Sequence, residues 1–369
     1  MSASHRLLTL DPAGLLWGSE RALLDFIGDI PGFEAACCCP PETPLIEKLN
    51  ACNVACFPTF QPNLHLRGMG ARLWALYGLL RAILACRPDV LHINQAGATR
   101  IALLACRVFR IPCVVHVRLQ EDVEYLNALR PSPKFLKRLI AISQPIADLL
   151  KEQPNLEKIP CTMLMDAYRL TGAGTAIERA PTRWDFVCVG RFSASKGQDV
   201  LIRAMDQLRQ TGISASLVFV GEINDCAVKV QQLVRDLKLE SAVDFVGHQD
   251  EVGNYLTQAR WLICPSGYEP LGRVLFEAWD HGIPVVAGTC SGGAATSVAA
   301  SGGGLLFAEW TADSLADCLA KAMSTDARVA DQMANKGRTW LGRAANPTRY
   351  AAAMANLLQD AIQSNGKSP

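Results

Sequence analysis

Four charged side chains carry the clearest chemistry in this sequence. Glu269 and Glu277 are eight residues apart in SGYEPLGRVLFEAWDHGIPVV, and Arg191 and Lys196 are five residues apart in VGRFSASKGQDVLIRAM. Two cations on one loop suit a diphosphate, and carboxylates accept hydrogen bonds from vicinal hydroxyls. The set therefore predicts a site for a nucleotide-sugar, in which a diphosphate joins a ribose to a hexose.

The glutamates are predicted to lie on a helix that follows the strand WLICPS. Apolar residues at helical spacing give it one buried face, at Leu271, Val274, Leu275 and Ala278. Pro270 suits the first helical position, and Gly282 and Pro284 end the helix. On one helix the two carboxylates would be about 12 Å apart along the axis, the length scale of a diphosphate with its two sugars.

The start of this helix is a predicted anion site. Its backbone N–H groups near Leu271 and Gly272, together with the helix dipole, favour negative charge. Gly272 lets a phosphate or sugar approach the backbone closely. The strand-to-helix loop after WDFVCV places Gly190, Arg191 and Lys196 at the same kind of sheet edge, where open α/β sheets bind ligands.

Short apolar runs alternate with amphipathic segments along the chain, which indicates βαβ units around parallel sheets. Strand candidates include RLLTL, DVLHIN, IPCVVHVR and RLIAIS, and later WDFVCVGR, ASLVFVG, AVDFVG, WLICPS, IPVVAG and GGLLF. The segment RLTGAGTAIERAPTRW is polar and aperiodic, as is typical of a linker. We predict an α/β protein with a Rossmann-like domain at 1–168, a linker at 169–183, a second Rossmann-like domain at 184–345, and a terminal helix and tail at 346–369.

VGRFSASKGQDVLIRAM, followed later by EPLGRVLFEAWDHGIPVVAG, resembles the paired motif of the retaining glycosyltransferases of family 4. The resemblance covers most of the chain, and GLLWGSERALLDF is similar to the family's glycine-rich first loop. It implies the GT-B fold, in which two Rossmann-like domains face each other across a cleft. It also implies transfer of a hexosyl group, with retention, from a nucleoside-diphosphate sugar to a glycan or lipid-linked acceptor of a cell-surface polysaccharide or glycolipid.

The resemblance implies roles for the motif residues. Arg191 and Lys196 would neutralise the diphosphate, Glu269 would contact the donor sugar, and Glu277 the ribose. His116 falls where the family often has a histidine near the donor sugar or acceptor. The predicted catalytic residues are Arg191, Lys196, Glu269 and His116. The predicted donor-binding residues are Gly18, Gly190, Gly247, His248, Pro270, Leu271, Gly272 and Glu277, with Gly247 and His248 at the base pocket.

Two positions depart from the family pattern. Trp17 stands where the first loop usually has another glycine, which affects how closely that loop can approach the diphosphate. TMLMDAYRL keeps Asp166 but lacks the usual Asn-Gly before it, which affects the interdomain hinge.

In the expected reaction the anomeric C–O bond breaks through an oxocarbenium-like state, and the leaving diphosphate gains negative charge that cations stabilise. No metal and no cofactor are predicted, because the sequence has no Asp-x-Asp cluster and no CxxC pair. Each candidate residue also has a simpler explanation. The cations could be surface residues of a loop, the glutamates solvated carboxylates of a helix, and the histidine an ordinary strand residue. Rival functions are a nucleotide-sugar epimerase, an NAD enzyme without the usual Gly-x-Gly-x-x-Gly, and a non-catalytic binding protein.

Charge is distributed unevenly although the formal net charge is only +1. From Arg67 to Arg138 there are 12 Lys/Arg against 4 Asp/Glu, whereas from Thr171 onward there are 18 against 20. The Arg-rich, apolar stretch Arg67 to Arg110 predicts peripheral contact with an anionic membrane, against the alternative of a core-packed helix flanked by surface arginines. No nucleic-acid partner, secretory signal or transmembrane segment is predicted, and cysteines placed singly in apolar runs indicate a cytoplasmic protein.

Overall fold

The chain forms two compact units. The computed structural model describes residues 4–14, 16–59, 69–171 and 180–366. The first unit extends to Arg169 and includes the chain from Ala345 onward, and the second extends from Leu170 to Ala344. Residues 172–179 of the predicted linker, and Arg67 at the start of the predicted basic stretch, lie outside the described residues.

The first unit is built on a parallel sheet of seven strands. Its strands are β1 (His5–Leu10), β2 (Phe33–Cys39), β3 (Ala55–Pro58), β4 (Val90–Ile93), β5 (Cys113–Val117), β6 (Leu136–Ala141) and β7 (Cys161–Met163). Its helices are α1 (Gly18–Leu24), α2 (Pro44–Ala51), α3 (Met69–Cys86), α4 (Thr99–Phe109), α5 (Gln120–Leu129) and α6 (Gln144–Lys151). The spatial order is β3-β2-β1-β4-β5-β6-β7. The strand order therefore reverses between β1 and β4, where such sheets bind ligands at their carboxyl edge.

The central strands of this sheet are buried on both faces. Every residue of β4 (VLHI) and β5 (CVVHV) is buried, as parallel strands covered by helices on both sides must be. Cys37, Cys38 and Cys39 end β2 and are fully buried. The cysteine-rich run thus supplies strand side chains to the core. Within the described part of the chain, no helix is both long and apolar enough to cross a bilayer.

The second unit repeats this architecture with six parallel strands. Its strands are β8 (Trp184–Val189), β9 (Leu217–Val220), β10 (Val243–Phe245), β11 (Ala259–Cys264), β12 (Val285–Gly288) and β13 (Gly304–Phe307). Its helices are α7 (Gln198–Gln210), α8 (Asp225–Asp236), α9 (Gly253–Thr257), α10 (Arg273–Asp280), α11 (Gly293–Ser301), α12 (Ala312–Ser324) and α13 (Ala327–Ala344). The order β10-β9-β8-β11-β12-β13 places the reversal between β8 and β11. The strands preceding the two predicted motif loops are therefore neighbours.

A C-terminal helix, α14 (Pro347–Asn365), follows the second unit and packs on the first. The Asn346 side chain accepts a hydrogen bond from the Arg349 N–H at its start, and Pro347 occupies the first helical position. Buried Tyr350, Met354 and Leu358 share one apolar core with residues of β1, α1 and α2. Two Rossmann-like units with a terminal helix confirm the fold class predicted from the sequence.

Candidate active site

The loop after β8 carries the two predicted cations. Gly190 follows the strand with φ 144°, and Arg191 is exposed while its carbonyl accepts from Gln198 Nε2 at 3.1 Å. Phe192 is buried in the core and anchors the loop. A short 3₁₀ turn, Ala194–Lys196, then leads to Gly197 and α7. The sequence thus holds Arg191 and Lys196 at the carboxyl end of β8, as predicted.

The loops after β8 and β11 are fastened to each other. The Gly267 N–H donates to the Ser195 carbonyl at 3.0 Å. Gly197 has φ 66°, and a Cβ there would lie 2.2 Å from the Pro265 carbonyl oxygen, so only glycine fits this approach. The Trp310 indole N–H donates to the same Pro265 oxygen at 2.8 Å. Two strand ends that flank the reversal are therefore held in a fixed geometry.

This geometry brings Lys196 and Glu269 into contact. The Lys196 ammonium group donates to Glu269 Oε2, and their side chains are 36% and 14% exposed. Burial disfavours the charged ammonium, but the Glu269 carboxylate outweighs it and raises the pKa of Lys196. The Lys196 ammonium group is therefore held against the Glu269 carboxyl group at the carboxyl edge of the second sheet.

The backbone around Glu269 is held by the start of α11. The Glu269 N–H donates to the Ser291 carbonyl at 3.3 Å, and the Glu269 carbonyl accepts from the Ala294 N–H at 3.2 Å. Buried Ser291 also donates its hydroxyl to the Ser266 carbonyl at 2.8 Å. The carboxylate of Glu269 is thus presented by a loop with little freedom to move.

The predicted start of the helix after Glu269 is wrong. The sequence favoured Pro270 as the first helical residue, but α10 begins at Arg273. Gly272 precedes it with φ 79°, a left-handed conformation that cannot continue back into a right-handed helix. Pro270 and Leu271 therefore belong to the loop. The separation of about 12 Å estimated for Glu269 and Glu277 assumed one continuous helix and does not apply.

The remaining donor-site predictions lie at the same edge of the sheet or on α10. Glu277 is half-buried on α10, and its carbonyl lies 2.8 Å from His281 Nδ1. The Gly247 carbonyl, beyond β10, accepts from the Gly221 N–H at 2.9 Å. His248 is exposed and lies 3.4 Å from an Asp250 oxygen. Because β10, β9 and β8 are neighbours, the Gly247 loop and the Gly190 loop lie at one edge.

A second polar cluster, which the sequence did not reveal, occupies the reversal point of the first sheet. Asp11 follows β1, is fully buried, and accepts from the Ala13 and Gly14 N–H groups at 3.1 and 3.0 Å. Asn94, which follows β4, donates its side-chain amide to Asp11 Oδ2 at 2.7 Å. Burial raises the pKa of Asp11. A polar residue at the end of a strand candidate, or directly after it, was the available signal.

Glu20 fixes the first loop beside this cluster. Gly18 begins α1, and the fully buried Glu20 carboxylate accepts from the Trp17 N–H at 3.0 Å. It also accepts from the Ser19 hydroxyl at 2.9 Å and Gln95 Nε2 at 2.5 Å. Burial and the neighbouring Asp11 carboxyl raise the pKa of Glu20 to about 7. The loop that contains Gly18 is thus held by a carboxyl group.

Arg118 completes the cluster from the end of β5. Its guanidinium donates to Asn94 Oδ1 at 2.9 Å and to Asp166 Oδ2 at 2.5 Å. Arg118 and Asp166 are 7% and 2% exposed. Asp166 Oδ1 is buried without a hydrogen-bond partner in the described structure. The Asp166 expected near the hinge therefore belongs to a buried ion pair of the first unit.

His116 does not lie with this cluster or at the surface. It is fully buried, and its Nδ1 lies 2.6 Å from His92 Nε2 while its Nε2 lies 2.8 Å from the Tyr350 hydroxyl. Thr9 Oγ1 lies 3.2 Å from the other His92 nitrogen. Burial, Arg118 and His92 lower the pKa of His116 well below its usual value, and burial lowers that of His92 to about 3. Both ring nitrogens of His116 thus have partners inside the protein, and its role as a catalytic residue stays a prediction.

Comparison with known proteins gives a family match in each unit. Residues 176–340 match the family described as glycosyl transferases group 1, and residues 31–161 match glycosyltransferase family 4. One match lies in each unit, so the predicted resemblance to these glycosyltransferases is confirmed in both.

Two bacterial enzymes are among the curated relatives of this chain. It is 34% identical over 228 residues to the lipopolysaccharide core biosynthesis glycosyltransferase LpsD of Rhizobium meliloti, covering 59% of this chain and 60% of LpsD. It is 30% identical over 218 residues to the GDP-mannose-dependent alpha-(1-6)-phosphatidylinositol monomannoside mannosyltransferase of Mycobacterium tuberculosis, covering 56% of each. The chain thus spans less than two thirds of either relative.

A solved structure shares the fold of nearly the whole chain. The crystal structure of Anabaena HepE in complex with UDP-glucose matches with a TM-score of 0.78 and 19% identity, covering 96% of this chain and 100% of HepE. At this identity the likeness establishes the fold alone.

Proposed function

We propose that this chain transfers a hexosyl group, with retention, from a nucleoside-diphosphate sugar to a glycan or lipid-linked acceptor in the synthesis of a cell-surface polysaccharide or glycolipid. The observation that carries the proposal is the contact between Lys196 and Glu269 at the reversal point of the second sheet. The relatives support the substrate class, since LpsD is named for lipopolysaccharide core synthesis and the mycobacterial relative for GDP-mannose.

Unit 2 would bind the donor. Lys196 and Arg191 would face the diphosphate, and Glu269 would accept hydrogen bonds from hydroxyls of the hexose. The N-terminus of α10 beside Gly272 would add backbone N–H groups and the positive end of a dipole. Glu277, on the same helix, would hold the ribose, and the Gly247–His248 loop would line the base. Unit 1 would bind the acceptor, and Gly18 in its first loop would contact the donor.

The reaction then needs positioning and charge stabilisation. The bond between the anomeric carbon and the diphosphate oxygen breaks, and its electron pair leaves with the nucleoside diphosphate. The acceptor hydroxyl oxygen bonds to the anomeric carbon on the same face and loses its proton to the departing phosphate. Lys196 and Arg191 stabilise the charge that develops on the leaving group, so that we propose transfer without a metal ion.

The donor experiment uses the full chain and a panel of UDP-, GDP- and ADP-sugars. We expect one of them to raise the melting temperature and to be hydrolysed slowly to free sugar and nucleoside diphosphate. Glu269→Gln should lose hydrolysis, whereas Glu240→Gln, an exposed carboxylate of the same unit, should retain it. Stabilisation by no nucleotide-sugar would refute the proposal, and accumulation of an epimerised donor would assign an epimerase instead.

A further inference from the structure

Two helices of the first unit present apolar side chains to solvent. Thirteen large hydrophobic side chains are exposed in the described structure, and six of them lie on α3 and α4. They are Leu73, Trp74, Tyr77, Leu84, Leu104 and Val108, and we call this surface the α3–α4 face. Their exposed fractions run from 47% for Leu104 to 70% for Val108. Such clustering differs from the scattered apolar residues of an ordinary surface.

The members on α3 form one stripe. Trp74, Tyr77 and Leu84 are three and seven residues apart, so they lie on one side of the helix. The Trp74 and Tyr77 rings meet edge to face, with their centres 5.7 Å apart. The opposite side of the same helix is buried through Ala75, Leu79, Ala82 and Ile83. Helix α3 is therefore apolar on both sides, with one side in the core and the other in contact with solvent.

Helices α3 and α4 lie on the same side of the sheet. The first connects β3 to β4 and the second connects β4 to β5, so both crossovers run in one direction across the sheet. Right-handed crossovers then place them on one face, and the two helices pack against each other. Their outward sides consequently form one continuous surface, separate from the side that carries α14.

Positive charge surrounds the apolar stripe. Neither helix contains Asp or Glu, whereas Arg81, Arg100 and Arg107 are exposed on them. The Arg81 guanidinium lies 5.9 Å from the centre of the Tyr77 ring. Tryptophan and tyrosine prefer the boundary between headgroups and acyl chains, while arginine binds lipid phosphates.

We propose that the α3–α4 face docks on the surface of an anionic lipid bilayer. Leu73, Trp74 and Leu84 would enter the boundary between headgroups and acyl chains, and the arginines would contact lipid phosphates. This deepens the proposed function, on which it rests only for the idea that the acceptor is lipid-linked. No residue of the donor loops in the second unit belongs to this surface.

A second copy of the chain is the competing occupant. A symmetric dimer would place this face against itself, because the same patch is used by both subunits. Arg81, Arg100 and Arg107 would then approach their own copies without a carboxylate from α3 or α4 to pair with. Charge complementarity therefore favours an anionic surface.

The test is co-sedimentation of the full chain with vesicles. Vesicles of phosphatidylcholine alone are compared with vesicles that also contain phosphatidylglycerol. We expect binding only to the anionic vesicles, weakened by salt. Arg81→Glu with Arg107→Glu should lower the partition coefficient by about tenfold or more, since both changes replace attraction to the anionic surface by repulsion. Trp74→Ser with Leu84→Ser should lower it similarly.

Matched controls lie in the second unit. Ile223→Ser with Val228→Ser removes two exposed apolar side chains, and Arg235→Glu reverses one exposed charge. Both should bind vesicles as the wild type does. All variants should keep the wild-type melting temperature and donor hydrolysis, which shows that they are folded.

Three results would overturn the inference. These are no binding to anionic vesicles, binding that the α3–α4 variants leave unchanged, and a solution dimer that Trp74→Ser with Leu84→Ser dissociates. Vesicle binding by a chain that hydrolyses no donor would support the docking surface while refuting the transferase, so the two proposals fail separately.

Discussion

The ammonium group of Lys196 and the carboxylate of Glu269 meet at the carboxyl ends of two adjacent strands. The contact joins residues 73 positions apart and depends on backbone hydrogen bonding between their loops. The strand order reverses between β8 and β11, and no helix crosses the carboxyl edge of a sheet at such a point. The pair is thus fixed where a ligand has access.

Loss of the Lys196 cation should strongly reduce turnover. Lys196→Ala removes the group proposed to stabilise the leaving diphosphate, so we expect kcat for donor hydrolysis to fall about a hundredfold or more. Lys229→Ala, which removes an exposed lysine of α8, is the control and should keep wild-type kcat. A Lys196→Ala enzyme that retains kcat and shows only a raised KM would indicate uniform binding instead of transition-state stabilisation.

Gly197 should tolerate no side chain. A Cβ would lie 2.2 Å from the Pro265 carbonyl oxygen, and the residue has φ 66°. We expect Gly197→Ala to lower the free energy of unfolding by about 2–4 kcal/mol, measured by urea denaturation. Gly212 also has a positive φ, of 87°, but a Cβ there would meet nothing within 4 Å. Gly212→Ala should therefore lower the free energy of unfolding by only about 1 kcal/mol. Equal losses would mean that backbone strain alone matters at Gly197.

The sequence predicted those parts of the fold that depend on local pattern. The strand runs WDFVCV and WLIC are apolar except for Asp185 and are followed by Gly190 and Pro265, and the terminal helix predicted within 346–369 begins at Pro347. The start of α10 was misplaced because the left-handed conformation of Gly272 is set by packing, with a Cβ there 3.0 Å from Ala294. Proline preference could not reveal that contact.

The second polar cluster was missed for a similar reason. The Asp11–Asn94 bond joins residues 83 apart, and the Arg118–Asp166 pair joins residues 48 apart. Neither pair has a periodicity or motif that links its members. Only the strand order brings the ends of β1, β4 and β5 together, and one sequence does not specify strand order.

Glu20 should make stability depend on pH in a direction opposite to most carboxylates. Its pKa is about 7 in the folded protein against 4.5 as the ordinary value, so the folded state holds the proton more tightly. Below pH 4.5 this contribution is fully present, and it is lost as pH rises to about 7. Glu20→Gln removes that pH dependence. As the pH rises from 4.5 to 7, the free energy of unfolding of the variant should therefore rise by about 1–3 kcal/mol relative to that of the wild type.

The measurement is urea unfolding of both proteins at several pH values between 4.5 and 7.5. Only the change in their difference with pH is interpreted, because the amide also alters the hydrogen bonds with Trp17 and Gln95 at every pH. Glu47→Gln, an exposed carboxylate of the same unit, is the control. A difference between wild type and Glu20→Gln that stays constant with pH would contradict the raised pKa.

Tyr350 should act on stability and leave turnover unchanged. Its hydroxyl lies 2.8 Å from His116 Nε2 in a buried chain that continues through His92 to Thr9. Tyr350→Phe leaves that ring nitrogen without its partner, so we expect the free energy of unfolding to fall by about 1–3 kcal/mol. Because His116 has no nitrogen left for a sugar, kcat and KM for the donor should stay within about twofold of the wild type at a temperature where the variant is folded.

The control for this change is Tyr255→Phe, which removes the hydroxyl of a partly buried tyrosine in the second unit. If the row of hydrogen-bonded side chains from Thr9 to Tyr350 holds the terminal helix in place, Tyr350→Phe should also speed proteolysis of α14. Tyr255→Phe should not. The opposite pattern, with unchanged stability and a large loss of kcat, would support the predicted catalytic role of His116. Neutral imidazoles with both nitrogens bonded inside the first unit favour the structural outcome, since a histidine that transfers protons needs a pKa near the working pH.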